Sequence, residues 1–398
     1  MLIAVAAVGP LALNIFIPSM PGIQHVLGVD YGVVQLTLTL YIFSTAVAQL
    51  FLGSLSDRFG RRPVLLAGMA LFLVGTLICA FANHIFSLIV GRVVQAVGGC
   101  AGLVLSRAVA RDVSDQEGAT RLVAYVTMAM VVAPMVGPAI GGYLEVWWSW
   151  RASFYLVAML GALVLVAALR WAHETHFELL PMPGLSSLLR GYAALLHSHC
   201  FVGYALNAAF STGIFFTFLG GAPYVMSEVL QRPPSDYGLY FVLVSLGYML
   251  GNFTAARLSR RVGSARMLVM AGLIAVLSVA AMGVMAALAY LTPLALFGPM
   301  ALIAYSNGIG LPNSMVGAIS VDPKQVGTAS GLAGFLQMGI GALGAVVVGQ
   351  LEAHSQVPLV LVMGACAVLA LVSLRVALPA KRRGFPGVRR QPASRLKT

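Results

Sequence analysis

The sequence predicts an all-α polytopic membrane protein of twelve transmembrane helices, arranged as two pseudo-symmetric six-helix bundles. Three observations predict it. Of 398 residues, 60% are hydrophobic and only 9% charged, with a mean hydropathy of +0.92, whereas a soluble domain carries about 25% charged residues. The apolar runs have the length of helices, not of the short alternating segments of a barrel, and lipid admits no other backbone. Short strings in the first half reappear at matching places in the second.

The spans fall at roughly 2–21, 33–54, 64–82, 86–107, 122–143, 152–172, 200–223, 237–257, 266–289, 294–318, 326–349 and 357–378. Span one begins directly after Met1. It lacks the basic lead and cleavage site of a signal peptide, so a start codon assigned too late is expected. Between spans two and three lies GSLSDRFGRRP, residues 53–63, a charge-dense loop flanked by apolar helices. Each of its charges would cost about 2.5–3.5 kcal/mol at the bilayer centre, so the loop marks a membrane face. Gly53 and Gly60 allow a tight reversal. Asp57 suits a helix N-terminus, and Arg58, Arg61 and Arg62 supply cations, with Asp112 at the end of span four as a second acid in reach of Arg61.

Span four carries Arg92 inside an apolar helix, three residues before Gln95, so the two share a face. A charge at that depth faces the protein interior or a wet cavity. Span five reads APMVGPAIGG at 133–142. Gly137 and Gly141 form part of a small-residue stripe that permits close helix contact, Pro138 removes a helix hydrogen bond, and Gly142 completes the string. WSWRASF at 148–154 supplies tryptophans suited to an interfacial belt.

The longest internal connection, 173–199, divides the chain. The predicted organisation is an N-terminal half at 1–172, a cytoplasmic linker at 173–199, a C-terminal half at 200–378 and a basic tail at 379–398. LSDRFG at 55–60 returns as LSRRVG at 258–263, and DQEGAT at 115–120 is echoed by DPKQVGTA at 322–329. Two such halves can rock about a central site.

The net charge of +12 does not point to nucleic acid, because of where the charges lie. Loops after even-numbered spans hold Arg58, Arg61 and Arg62, then Arg107, Arg111 and Arg121, Arg190, then Arg257, Arg260, Arg261 and Arg266, then Lys324; loops after odd-numbered spans hold only Arg151 and Arg232. By the positive-inside rule both termini are cytoplasmic. The four cysteines lie in or beside apolar spans without paired spacing and read as small hydrophobes. The sequence contains no phosphate-binding loop and no metal motif, which argues against a primary pump, a membrane enzyme and any cofactor.

The 53–63 loop resembles the signature loop of the major facilitator superfamily. Arg92-x-x-Gln95 resembles its span-four helix, Gly137-Pro138-x-x-Gly141-Gly142 the antiporter motif of its exporters, and Trp150-Arg151-x-x-Phe154 a further family string. Within the superfamily, QLTLTLY at 35–41, Gln49, LSDRFGRRP at 55–63 and RAVARDV at 107–113 are similar to the Bcr/CflA group of drug–proton antiporters. The likeness covers nearly all of the N-terminal half and is weaker after residue 200, where GGAPYV at 220–225 matches best. The resemblance implies export of lipophilic compounds, such as chloramphenicol-type drugs or bicyclomycin, in exchange for protons across a bacterial inner membrane. It also implies an Asp57–Arg61–Asp112 cluster that holds the halves in an outward-open state. The expected partners are a small-molecule substrate, protons and the bilayer, and a monomer is expected.

One departure bears on coupling. The group carries an Asp in span one, where this chain has Asn14, and asparagine does not titrate. The acids lie in loops or at span ends, so Asp30 is the first candidate for proton coupling, with Glu228 and Asp236 behind it. The expected lining of a central cavity is Asn14, Tyr41, Arg92, Gln95, Asn207, Phe215, Tyr248, Asn307, Asn313 and Gln337. Two alternatives stay open: an uptake carrier or facilitator for a metabolite, which the missing carboxylate favours, and a transport-dead sensor or scaffold, which would need an output module.

Overall fold

Helices begin and end here where proline, glycine or a polar cluster interrupts an apolar run. The computed structural model describes residues 1–113, 116–175, 177, 185–290, 292–322, 326–351 and 356–378. The basic tail, Lys324 and residues 178–184 of the linker lie outside the described residues, as do the side chains of Arg111, Arg121 and Arg260.

Helix α1 (Leu2–Ile15) passes through a 3-10 turn at Ile17–Ser19 into α2 (Met20–Leu27). Pro18 and Pro21 stand at the start of these two pieces, where the missing N–H costs least. Then come α3 (Tyr31–Phe59), α4 (Arg61–Ala80), α5 (Ile85–Asp112), α6 (Gln116–Trp147) and α7 (Trp150–Trp171). A short helix α8 (Leu185–Leu196) lies within the linker. The second half consists of α9 (His199–Tyr224), α10 (Pro234–Val262), α11 (Ser264–Ala287), α12 (Pro293–Ile319), α13 (Val326–Gln350) and α14 (Val357–Ala377). Eleven passages are long and apolar enough to cross a membrane, counting α1 and α2 as one. Helix α6 is the twelfth; it extends past the apolar stretch 122–143 at both ends and runs unbroken through Pro134 and Pro138. No strand occurs among the described residues.

The internal echo is a structural repeat. Gly60 ends α3 at φ 92° and Gly263 ends α10 at φ 90°, each donating to a serine carbonyl, Ser56 O and Ser259 O, at 3.1 Å. Residues with a Cβ avoid that backbone region, so the glycines are required by the same turn in both halves. Packing repeats as well: α4 on α5 matches α11 on α12, α1 on α6 matches α9 on α13, and α4 on α7 matches α11 on α14. The halves meet through α3 against α13 and α6 against α10, two contacts that the same two-fold relation exchanges.

At the face opposite the 53–63 loop the two halves are sealed together. Phe16, Ile17, Tyr31 and Leu38 share one buried cluster with Phe218, Leu219, Tyr237 and Phe241. Tyr31 Oη donates to Gly220 O at 2.9 Å and its ring packs tilted against Tyr224 with centroids 5.1 Å apart, while Gln35 Nε2 donates to Ala345 O at 2.6 Å. His25 Nε2 and Glu228 Oε1 meet at 3.0 Å across the same boundary.

Candidate functional site

Beneath that seal a cavity of about 280 Å³ lies between the halves. The C-terminal half supplies most of its wall: Thr212, Phe215, Phe216, Phe241, Ser245, Tyr248, Asn307, Gln337 and Met338. The N-terminal half adds Arg107, Pro134 and Met135. The polar groups are held in place. Gln337 Nε2 donates to Thr212 Oγ1 at 2.7 Å and Asn307 Nδ2 to Ser211 O at 3.1 Å. Phe215 packs edge-on between Phe216 and Phe241, with centroids at 5.7 and 6.3 Å. An aromatic, largely apolar chamber with a few fixed hydrogen-bonding groups suits a lipophilic guest with one or two polar substituents.

Four of the ten residues expected at a central cavity line it: Phe215, Tyr248, Asn307 and Gln337. The other six do not, and each has a bond inside its own half. Arg92 is fully buried, donates to Ala12 O at 3.0 Å and Gln95 Oε1 at 2.7 Å, and lies 4.1 Å above the Tyr41 ring and 4.7 Å from Phe16. Gln95 Nε2 continues to Thr76 Oγ1 at 2.8 Å, and Tyr41 Oη donates to Gly9 O at 3.0 Å. This network ties α5 to α1, α3 and α4. Asn14 Nδ2 folds back onto Pro10 O at 2.8 Å. Asn207 joins Ala370 O at 2.7 Å and Ser314 Oγ at 2.6 Å, while Asn313 reaches Ser259 Oγ at 3.1 Å. These are helix–helix fastenings, which polar groups in lipid commonly provide.

Arg107 is the charged residue that the sequence reading misplaced. The apolar run ends at Arg107, which places it among the loop charges, but α5 continues to Asp112. Arg107 therefore sits more than a turn inside the helix and lines the cavity. Its spacing of four from Arg111 on one helical face was the available signal.

The charges of 53–63 meet within the N-terminal half on two helix ends and not on a loop: α3 runs to Phe59 and α4 begins at Arg61, so Asp57 lies in the last turn of α3, not at the helix N-terminus expected of it. Arg61 Nη1 meets Asp57 Oδ1 at 2.6 Å and also Ser56 Oγ; its Nε meets Asp112 Oδ2 at 3.0 Å. Glu174 was missed: its carboxylate accepts from the backbone amides of Arg61 at 2.8 Å and Arg62 at 3.1 Å. A carboxylate on the first amides of α4 satisfies donors that the helix leaves open. Arg62 Nη2 reaches Leu169 O at 3.3 Å, and Arg58 lies 5.4 Å over the Phe59 ring. On α6, Gly137 backs onto Asn14 and Ile15, Gly141 onto Ile15 O, and Gly142 onto Pro234 O of the other half; Pro138 O faces Gly238. A Cβ on Gly141 would overlap the Ile15 carbonyl, so this approach needs glycine. Asp30 stands exposed at the start of α3, beyond the seal from the cavity. Among the described residues no cluster of metal-ligating side chains occurs.

A family model described as Major Facilitator Superfamily matches residues 2–346. The chain is 29% identical to a bicyclomycin resistance protein homolog of Haemophilus influenzae, over 92% of each chain. It is 29% identical to multidrug resistance protein D of Escherichia coli, over 86% of each. A chloramphenicol resistance protein of Pseudomonas aeruginosa shares 30% identity over 63% of this chain and 58% of its own. Among solved structures, a D-xylose–proton symporter superposes with a TM-score of 0.74 at 14% identity, covering 94% of this chain and 96% of that one. A bacterial Spinster homologue captured inward-facing and occupied gives 0.71 at 16% identity, covering 94% of each chain.

Proposed function

The chain belongs to the Major Facilitator Superfamily, and on that premise we propose that it exports small lipophilic compounds across a bacterial inner membrane by proton antiport, with its two halves rocking about the central cavity. Membership of the superfamily supports a transporter over an enzyme. The observation that carries the reading is the cavity: it lies between the halves, is walled by both and is closed off at one face. With the arginine-rich face cytoplasmic, the sealed face is outside, and the cavity belongs to the half of the cycle that loads from within.

The substrate class follows from the lining. Phenylalanines give the lining apolar surface, methionines adapt to varied apolar shapes, and Arg107 is the one charged side chain among the described lining residues. That combination favours neutral compounds with electronegative groups, and anions, over cations. The names of the relatives, bicyclomycin, chloramphenicol and multidrug resistance, fit such compounds and extend to this chain as part of the proposal.

A second reading is an uncoupled metabolite carrier. Its support is that no described residue lining the cavity is a carboxylate. One experiment separates the two: the protein is reconstituted in vesicles, and proton release is followed on adding a panel of lipophilic compounds. Antiport predicts release that follows substrate affinity. Flux of the same compounds without proton movement, unaffected by an imposed pH gradient, would leave the carrier reading.

A further inference from the structure

Glu145 lies in the last turns of α6, past the apolar stretch 122–143. It is poorly placed for an ionised side chain. Its Oε2 is buried with no hydrogen-bond partner. Its Oε1 occupies the notch left by Gly22, where an added Cβ would overlap it. The hydroxyl of fully buried Ser19 faces the carboxyl.

The surroundings connect this carboxyl to the seal. Ser19 ends the turn Ile17–Ser19, which packs on α6 of its own half and on α9 and α10 of the other. Gly142, one turn before Glu145, backs onto Pro234 O, where α6 meets α10. A charge at Glu145 is thus left without a partner by the very packing that closes the outer end.

Other charged groups on the neighbouring elements are engaged elsewhere. His25 on α2 pairs with Glu228 at 3.0 Å; Arg232 pairs with Asp236, at the start of α10, at 3.9 Å. Arg151 on α7 donates to Ala82 O at 2.7 Å and Asn83 Oδ1 at 3.2 Å. Tyr237 on α10 and Tyr143 on α6 bring phenol hydroxyls to these elements.

We propose that Glu145 is a proton-binding site that keeps the outer end shut when protonated and lets the halves part there when ionised. The proton comes from the outside solution and bonds to a carboxylate oxygen; no other bond changes. The seal separates Glu145 from the cavity, so the site controls closure and does not pass protons inward. The inference rests on the proposed function for which side is outside and for the existence of an outward-open state.

Burial supports the assignment by pushing the Glu145 carboxyl up to about 7, against a smaller lowering by Ser19. Opening would return it to the ordinary glutamate value, about 4.3. The closed state therefore binds the proton more tightly. Its advantage is complete below the ordinary value, declines as pH rises from there to about 7, and is flat above. The gap corresponds to a change on the order of several hundredfold in the closed-to-open ratio.

The test uses the full chain in nanodiscs, with spin labels on F81C and L288C in a C200S background. Phe81 and Leu288 are exposed at corresponding outer helix ends, after α4 and α11. The expected result is a distance that lengthens from pH 4 to pH 7 in the parent protein. E145Q should stay short at every pH. G22A, which displaces the carboxyl from its notch, should remove the pH response as well. An unchanging distance in the parent protein would overturn the proposal. So would a parent-like response in E145Q, or a response lost in H25Q while E145Q retains it, since that would assign it to the His25–Glu228 pair. Closure that depends on Glu145 in a protein showing no proton-coupled flux would keep this inference and remove antiport.

Discussion

The two halves share a skeleton but divide the chemistry. In the N-terminal half, Ser56 receives Arg61, which Asp57 and Asp112 flank, and Arg92 is clamped among Ala12, Gln95, Tyr41 and Phe16. In the C-terminal half the equivalent Ser259 receives the neutral Asn313, and α12, the counterpart of α5, has no charged residue from Pro293 to Ile319. Yet this second half supplies most of the cavity wall. The difference teaches that a duplicated bundle can be specialised without changing its path: one copy is fastened by charge and the other is left to present a surface.

Arg92→Ala should break the comparison most severely. It removes a fully buried side chain and strands the Gln95 and Ala12 acceptors, a loss of about 3 kcal/mol or more, read as a collapse of the thermal unfolding midpoint in detergent. Asn307→Ala, on the uncharged α12, should change substrate affinity with little effect on that midpoint.

The paired glycines sharpen it. Gly60→Ala and Gly263→Ala impose the same backbone strain, about 1–3 kcal/mol. At Gly60 the new methyl also meets the Glu174 carboxylate, whereas nothing lies within 4 Å at Gly263. Gly60→Ala should therefore cost more, as measured by chemical unfolding of the two variants side by side. If their costs are equal, the Glu174 contact contributes nothing.

Arg107→Gln is expected to spare stability and act on selectivity. Transport of anionic compounds should fall about tenfold relative to neutral ones, the effect of losing roughly 1.4 kcal/mol of attraction. An equal fall for both would remove Arg107 from the substrate's reach. Asp57→Asn should likewise change folding little. Its pair with Arg61 is partly exposed, so stability should drop by less than about 1 kcal/mol. If the cluster gates the transporter, transport falls far more than folding; if transport is unchanged, the cluster only anchors the loop.

The spans, the repeat and the residues of the loop cluster were legible in sequence because each depends on local pattern: run length, turn glycines and charge spacing. The cavity was legible only in part. Helical periodicity says that Asn207, Asn313 and Arg92 face protein. It does not say whether that protein is a neighbour in the same half or the gap between halves. Phe215 and Asn307 differ from Asn207 and Asn313 in that respect alone. Arg107 was hidden by the opposite error, since a helix that outlasts its apolar run draws a loop charge inward. Glu174 and Glu145 gave no signal, because the atoms that define them, the amides of Arg61 and Arg62 and the notch at Gly22, are far away in sequence.

The grip of Glu174 on the first amides of α4 also decides where the polypeptide tolerates a cut. Glu174, and Thr175 with its bond to Asp112 at 3.2 Å, fasten the start of the linker to the first bundle. Helix α8, through Tyr192 and Leu195, is packed with Phe201 and Leu332 of the second. A nick between residue 177 and Leu185 leaves every one of these anchors with its own fragment. Co-expressed as two pieces, the protein should reassemble by complementation, and a tag inserted there should go unnoticed. A nick placed only a few residues earlier, before Glu174, would move the acceptor of the first α4 amides to the other fragment and should make reassembly less efficient.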